Sequence, residues 1–193
     1  MKQGTLTAEA FSGPVLPAGK LGTWWFLASE VTTFGALVAC YILFRLGGEG
    51  WSEETAHLSL VFPLVNTLVL LTSSMTMVMA HAAVAAGDER RLRLFLGITV
   101  LLGLGFLGVK ATEYTREITH GFTPGSGLFW SFYYGMTGLH AAHVLGGIVV
   151  NSILFLTVPG GSEDRKHRVE FAGLYWHFVD LVWIFLFPLL YLS

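Results

Sequence analysis

The chain has 193 residues, of which 53% are hydrophobic and 12% are charged, and its mean hydropathy is +0.63. This composition excludes an ordinary soluble domain and indicates an integral membrane protein. The net charge of −2 says nothing about nucleic acid, but no basic tail is present and no nucleic-acid partner is expected. The single cysteine, Cys40, excludes a disulfide framework and a metal site built on paired cysteines.

Five apolar segments follow a short N-terminal tail over residues 1–19. They cover about residues 20–46, 57–86, 92–112, 127–158 and 169–192. Each segment is long enough to cross roughly 30 Å of hydrocarbon as a helix. The predicted fold is therefore an all-α integral membrane protein, with one domain of five transmembrane helices over residues 20–193.

The distribution of basic residues predicts the orientation of this bundle. Eight of the 11 lysines and arginines lie near the N-terminus or in the loops after the second and fourth segments. Cytoplasmic loops of membrane proteins carry such an excess of lysine and arginine. The N-terminus is therefore predicted to be cytoplasmic and the C-terminus to be outside.

The first helix carries a carboxyl group at mid-depth. Glu30 lies ten residues past Lys20, about 15 Å deep, where an unpaired carboxylate would face a severe desolvation penalty. We expect Glu30 to be protonated or hydrogen-bonded, either as a proton-handling or lipid-ordering group or as a neutral acid that ties two helices together. Trp25 is predicted to anchor the inner interface, and Tyr41 and Trp51 the outer one.

The second helix carries a polar stripe that favours a buried seam over a ligand site. The stripe consists of Asn66, Ser73, Ser74, Met77 and His81.

The third helix is rich in glycine, and two of its glycines share a face with a threonine. This face of Gly105, Gly108 and Thr112 predicts close approach of a neighbouring backbone. The charged stretch that follows predicts a helix prolonged beyond the membrane, with solvated ion pairs. Its members are Lys110, Glu113, Tyr114 and Glu117.

The fourth and fifth helices hold the remaining polar residues of interest. His140 and His143 are three apart and share a stripe with Met136 and Gly147. Polar groups in a membrane segment mark interhelical contacts or function. The fifth helix places Asp180 at mid-depth, with His177, His140 and His143 as possible partners. It also aligns Trp176, Asp180, Trp183 and Phe187 on one face.

Several kinds of chemistry remain open from these residues alone. A b-type haem would need two imidazoles at one depth, and a zinc or copper ion would need further converging ligands. Neither is favoured, because the depths of the histidines differ and their spacing does not require convergence. A small proton or ion path is a further alternative, since acids at mid-depth mark such paths.

Taken together, the motifs resemble subunit III of haem–copper respiratory oxidases, in the right order over about residues 19–193. The motifs are Gly22-Thr23-Trp24-Trp25-Phe26-Leu27-Ala28-Ser29-Glu30, Asn66-Thr67, Leu71-Thr72-Ser73-Ser74, Ala80-His81, Glu113-Tyr114, Thr137 through Gly147, Tyr175-Trp176-His177-Phe178-Val179-Asp180 and Val182-Trp183.

The resemblance implies a subunit without a redox centre, in a cytochrome c or quinol oxidase of aerobic electron transport. Such a subunit packs mainly against subunit I, joins subunit II in the complex, holds phospholipid and supports proton uptake and oxygen access. Haem and copper are then held by the partner subunits, in the plasma membrane of a bacterium. Many members have seven helices, and shorter five-helix members exist among bacterial cytochrome c and quinol oxidases. The homologous accessory protein of nitric oxide reductases is also of this size and is the alternative within the family.

The resemblance also implies roles for individual residues. Glu30 matches the intramembrane glutamate of the family, and Asp180 is the second buried acid. The implied contacts with neighbouring helices, lipid or partners are Trp25, Ser73, His81, Glu113, His140, His143, Trp176, His177 and Trp183. No residue of the chain is implied to be catalytic or to bind a metal.

Overall fold

The computed structural model describes residues 18–48, 50–157 and 163–192. Within these residues the regular secondary structure is all α-helix. The helices are α1 (Ala18–Gly47), α2 (Ser52–His57), α3 (Val61–Ala85), α4 (Glu89–Thr119), α5 (Leu128–Leu156) and α6 (Glu163–Tyr191). Five of them, all but α2, are long and apolar enough to cross a membrane. The prediction of five helices long and apolar enough to span a membrane is confirmed, whereas the orientation of the termini stays a prediction.

A tight turn joins α3 to α4. α3 ends at Ala85, and the turn after it contains Gly87, whose φ of +72° suits glycine; the amide of Asp88 donates to the carbonyl of Ala83 over 3.0 Å. The Asp88 carboxylate then accepts a hydrogen bond from the Arg91 amide at 3.0 Å and so caps α4. α3 and α4 therefore pack side by side as an antiparallel pair.

The four helices α3 to α6 form a closed ring. α3 packs against α4 and α6, and α5 packs against the same two helices. α1 lies outside this ring and contacts α5 and α6. The polar residues predicted on different helices therefore meet either inside the ring or at the joint between α1 and the ring.

Two glycines of the ring allow the closest packing at its centre. A Cβ atom on Gly147 would lie 2.5 Å from the ring of Trp176, and one on Gly103 would lie 2.9 Å from the same ring. Gly105 and Gly108, in contrast, have no neighbouring atom within 4 Å of such a Cβ among the described residues. The prediction that Gly105 and Gly108 mediate close approach is wrong within this chain, because their face of α4 points away from the ring.

Two other sequence predictions are corrected by burial. Tyr41 does not anchor the chain at the outer interface of the membrane, because it is fully buried and its hydroxyl donates to the carbonyl of Leu189 over 3.1 Å. The charges at the end of α4 are not solvated, since Lys110, Glu113 and Glu117 are each at most 2% exposed. The helix continues to Thr119 with these residues facing the ring.

Candidate functional site

The joint between α1 and α5 contains the glutamate predicted at mid-depth. The Glu30 carboxyl lies 3.1 Å from Nε2 of His143, and Nδ1 of the same ring lies 2.9 Å from the carbonyl of Leu139. A carbonyl only accepts hydrogen bonds, so Nδ1 must carry a proton. The pair is therefore either a protonated acid beside a neutral imidazole or a carboxylate beside an imidazolium, and both states hold the same number of protons and no net charge.

The second histidine of that stripe, His140, faces a different neighbour. It is fully buried in the ring, with the rings of Phe106 and Trp183 at centroid distances of 5.4 and 5.2 Å. Neither ring nitrogen of His140 has a hydrogen-bond partner within the described part of the chain. His140 and His143 thus share a stripe in sequence but enter the core and the α1 joint, respectively.

Asp180 does not pair with any of the three histidines predicted for it. It is 4% exposed, and neither carboxyl oxygen has a hydrogen bond among the described residues. The Ser74 hydroxyl faces this carboxyl, but its hydrogen bond is to Nδ1 of His177, at 2.7 Å. The predicted partnership of His143 with Asp180 is wrong, because His143 lies on the side of α5 that faces α1.

The two tryptophans of α6 join it to α3 by hydrogen bonds. Trp176 donates its indole N–H to the hydroxyl of Ser73 over 3.1 Å, and Trp183 donates to that of Thr67 over 3.0 Å. Both indoles are at most 1% exposed. Asn66, Ser73 and Met77 of the polar stripe are likewise buried. From Asn66 to Met77, the stripe on α3 is therefore a buried contact between helices.

Two of the predicted contact residues lie on the outside of the described chain. Trp25 is 71% exposed on α1, and His81 is exposed near the end of α3. Any role they have involves what surrounds this chain.

The sequence did not lead us to expect a buried ion pair near the C-terminal end of α4. The Lys110 ammonium lies 3.0 Å from the Glu113 carboxylate and donates to the hydroxyls of Tyr133 and Tyr191 over 3.1 and 2.6 Å. Both tyrosines in turn donate to the same carboxylate, over 2.8 and 2.6 Å. We call these four residues the Lys110 cluster.

The Lys110 cluster satisfies its charges internally and joins three helices, α4, α5 and α6. A signal for it was present in the sequence, because Lys110 and Glu113 continue the stripe of buried positions along α4. That stripe runs through Leu92, Leu96, Thr99, Gly103, Phe106, Lys110, Glu113 and Glu117. A charge that continues a buried stripe is predicted to be paired inside the protein.

A cleft of about 640 Å³ opens where α1 separates from α5 and α6. Its walls are mostly apolar or aromatic, with Phe26, Phe171 and Tyr175 among them, and Arg168 is the charged residue that lines it among the described residues. The described residues include no group of three or more His, Cys, Asp or Glu side chains that could hold a metal ion. The geometry thus provides apolar space beside one cation, together with paired polar groups.

Comparison with known proteins identifies the family. The family model described as cytochrome c oxidase subunit III matches residues 4–193. Cytochrome c oxidase subunit 3 of Thermostichus vulcanus is 39% identical over 175 residues, which cover 89% of this chain and 86% of the relative. The subunit 3 of Bacillus subtilis strain 168 is 36% identical over 200 residues, covering 98% and 96%. A protein of Staphylococcus saprophyticus named probable quinol oxidase subunit 3 is 35% identical over 176 residues, covering 90% and 88%. The chain therefore belongs to the cytochrome c oxidase subunit III family.

Proposed function

We propose that the chain is the non-catalytic subunit III of a proton-pumping haem–copper terminal oxidase, which reduces oxygen to water in aerobic electron transport. The observation that carries this proposal is the family match over nearly the whole chain, with oxidase subunits of similar length among the relatives. These relatives favour a cytochrome c or quinol oxidase over a nitric oxide reductase. The complex then lies in a bacterial plasma membrane, with subunits I and II as partners.

The second part of the proposal is that the chain stabilises subunit I and leaves the redox chemistry to its partners. Several polar groups of the described residues join one helix to another, as in the Glu30–His143 pair and the Lys110 cluster. Such contacts maintain a rigid bundle in lipid, where apolar surfaces alone provide little drive for helix association. Haem and copper are then bound by partner subunits.

The third part is that the cleft between α1, α5 and α6 binds a structural phospholipid. A space of about 640 Å³ with apolar walls suits acyl chains, and the Arg168 guanidinium suits a phosphate group. Replacing Arg168 with Gln is expected to lower the phospholipid retained by the purified complex. Lys166→Gln is the matched control, because Lys166 is a neighbouring cation that does not line the cleft. Equal phospholipid content in both variants would contradict this assignment.

The fourth part is support of proton uptake at the end of the bundle predicted to be cytoplasmic. The Glu170 carboxylate there lies 3.3 Å from the Lys20 ammonium and 3.5 Å from Nδ1 of His167. His167 and Glu170 are at least partly accessible, so both can exchange protons with water. They provide local proton-exchanging groups near the uptake site of a partner.

The test of the proposed function compares the oxidase with and without this subunit. Oxygen consumption is followed over time at two pH values. The depleted complex is expected to start at a normal rate at the lower pH, to be slower at the higher pH and to inactivate after fewer turnovers. Re-addition of the subunit should restore both properties. Complete loss of activity from the first turnover would show that the chain carries chemistry of its own, and identical decay curves would restrict it to assembly.

A further inference from the structure

The edge between α3 and α6 exposes polar side chains within the membrane-spanning part of the bundle. Ser74 and His177 are each partly exposed, and His81, two helical turns after Ser74 on α3, is exposed. Ser74, Val78 and His81 have the spacing i, i+4, i+7, so they share one face of the helix. We call Ser74, His81 and His177 the polar edge.

The polar edge differs from the surface around it. The neighbouring outward side chains on α3 include Leu71, Met75 and Val78, which are 48%, 55% and 50% exposed. These are the side chains expected against acyl chains. Polar groups that face lipid are costly and therefore mark contacts with other proteins or functional groups.

His177 has one ring nitrogen available for a neighbour. Its Nδ1 is engaged by the Ser74 hydroxyl at 2.7 Å, while Nε2 has no hydrogen bond within the described residues. His177 lies seven residues beyond Glu170, which corresponds to about 10 Å along the helix. At that depth a lipid headgroup does not reach the ring without deforming the bilayer, whereas a side chain from another transmembrane helix does.

We propose that the polar edge is the docking surface for a transmembrane helix of a partner oxidase subunit, which places a hydrogen-bonding side chain against Nε2 of His177. This inference rests on the proposed function, since it needs a partner subunit in the same membrane. It deepens that function by assigning one face of the chain to the contact. The face is the α3–α6 edge and not the cleft at α1.

A photoreactive residue at Val78 in the complete oxidase tests the surface directly. Val78 lies between Ser74 and His81, so its expected adduct is with a transmembrane segment of another oxidase subunit. The control position is Leu104, which is 49% exposed on α4 and is expected to react with lipid. Adducts of Val78 with lipid alone, or with a second copy of this chain, would overturn the proposal. Subunit adducts of equal yield from Leu104 would also overturn it.

A second measurement tests the hydrogen bond. His177→Leu is expected to speed the detergent-induced release of this chain from the oxidase about fivefold, the effect of losing one interhelical hydrogen bond. Ser74→Ala removes the internal bond but keeps Nε2, so its effect should be smaller. Thr72→Val is the matched control, because its exposed hydroxyl bonds only its own helix, at the Leu68 carbonyl. Release of His177→Leu at the parent rate would overturn the proposal.

These outcomes separate the two levels of inference. If the chain purifies with a haem-bearing subunit but Val78 reacts only with lipid, the proposed function stands and the docking surface is wrong. If the chain purifies with no haem-bearing subunit, the proposed function fails and the docking surface fails with it.

Discussion

The Lys110 cluster predicts a large energetic coupling between two buried charges. Glu113→Leu removes the carboxylate that contacts the Lys110 ammonium and leaves a buried cation beside two tyrosine hydroxyls. Breaking a buried ion pair in this way costs about 3–5 kcal/mol. Lys110→Met leaves the carboxylate with hydrogen bonds from Tyr133 and Tyr191, so its cost should lie near about 3 kcal/mol.

The double variant Lys110→Met/Glu113→Leu separates pairing from burial. It removes both charges, so only the two tyrosine hydroxyls lose their charged hydrogen-bond partners. The free energy of unfolding should therefore fall by about 1–2 kcal/mol, less than in either single variant. The coupling free energy should therefore be at least about 4 kcal/mol.

Reversible unfolding in mixed micelles, followed by the fluorescence of the six tryptophans, provides the free energies of unfolding. Leu104→Ala is the control on the same helix, because Leu104 faces outward and should change stability little. Single variants within about 1 kcal/mol of the parent, or a double variant whose cost equals the sum of the single costs, would refute the reasoning.

Three further predictions concern topology, packing and accessibility. Cysteine at Gly125 should react with a membrane-impermeant reagent on intact cells and cysteine at Arg90 only after permeabilisation, and the reverse pattern would overturn the predicted orientation. Gly147→Ala should destabilise the bundle by about 1–3 kcal/mol, because its Cβ would meet Trp176, and an unchanged unfolding midpoint would contradict this contact. An apolar carbodiimide should modify Glu30, whose side chain is 18% exposed within the span, and peptide mass analysis without an adduct there would count against a protonated Glu30.

Hydropathy was sufficient to predict the five long helices, and the motifs were sufficient to predict the family, which the comparisons confirm. The requirement to span hydrocarbon with satisfied backbone groups permits little besides long apolar helices. The short helix α2 was not predicted, because its six residues, Ser52–His57, are polar and lie in a loop. Its formation depends on the surrounding loop rather than on hydropathy.

Side-chain partners were harder to predict than helices. The sequence indicated His143 as a possible partner of Asp180, with depths counted from helix ends, yet His143 lies 3.1 Å from Glu30. Such counts assume that every loop ends at the same level.

The charges on α4 were misread for a related reason. An i, i+3 ion pair has the same spacing on a solvated helix and in a core, and only the buried stripe that contains Lys110 and Glu113 distinguishes the two.

The position of α1 depends on a few polar contacts. Three tie it to the ring at intervals of about 15 Å along the helix: Lys20 with Glu170, Glu30 with His143, and Tyr41 with the carbonyl of Leu189. Apolar contacts between helices have little advantage over contacts with lipid, so these polar contacts specify where α1 lies. Between them the joint opens into apolar grooves, including one of about 290 Å³ beside Phe178. α1 is therefore the helix whose attachment depends most on the lipids and subunits that occupy this side of the bundle.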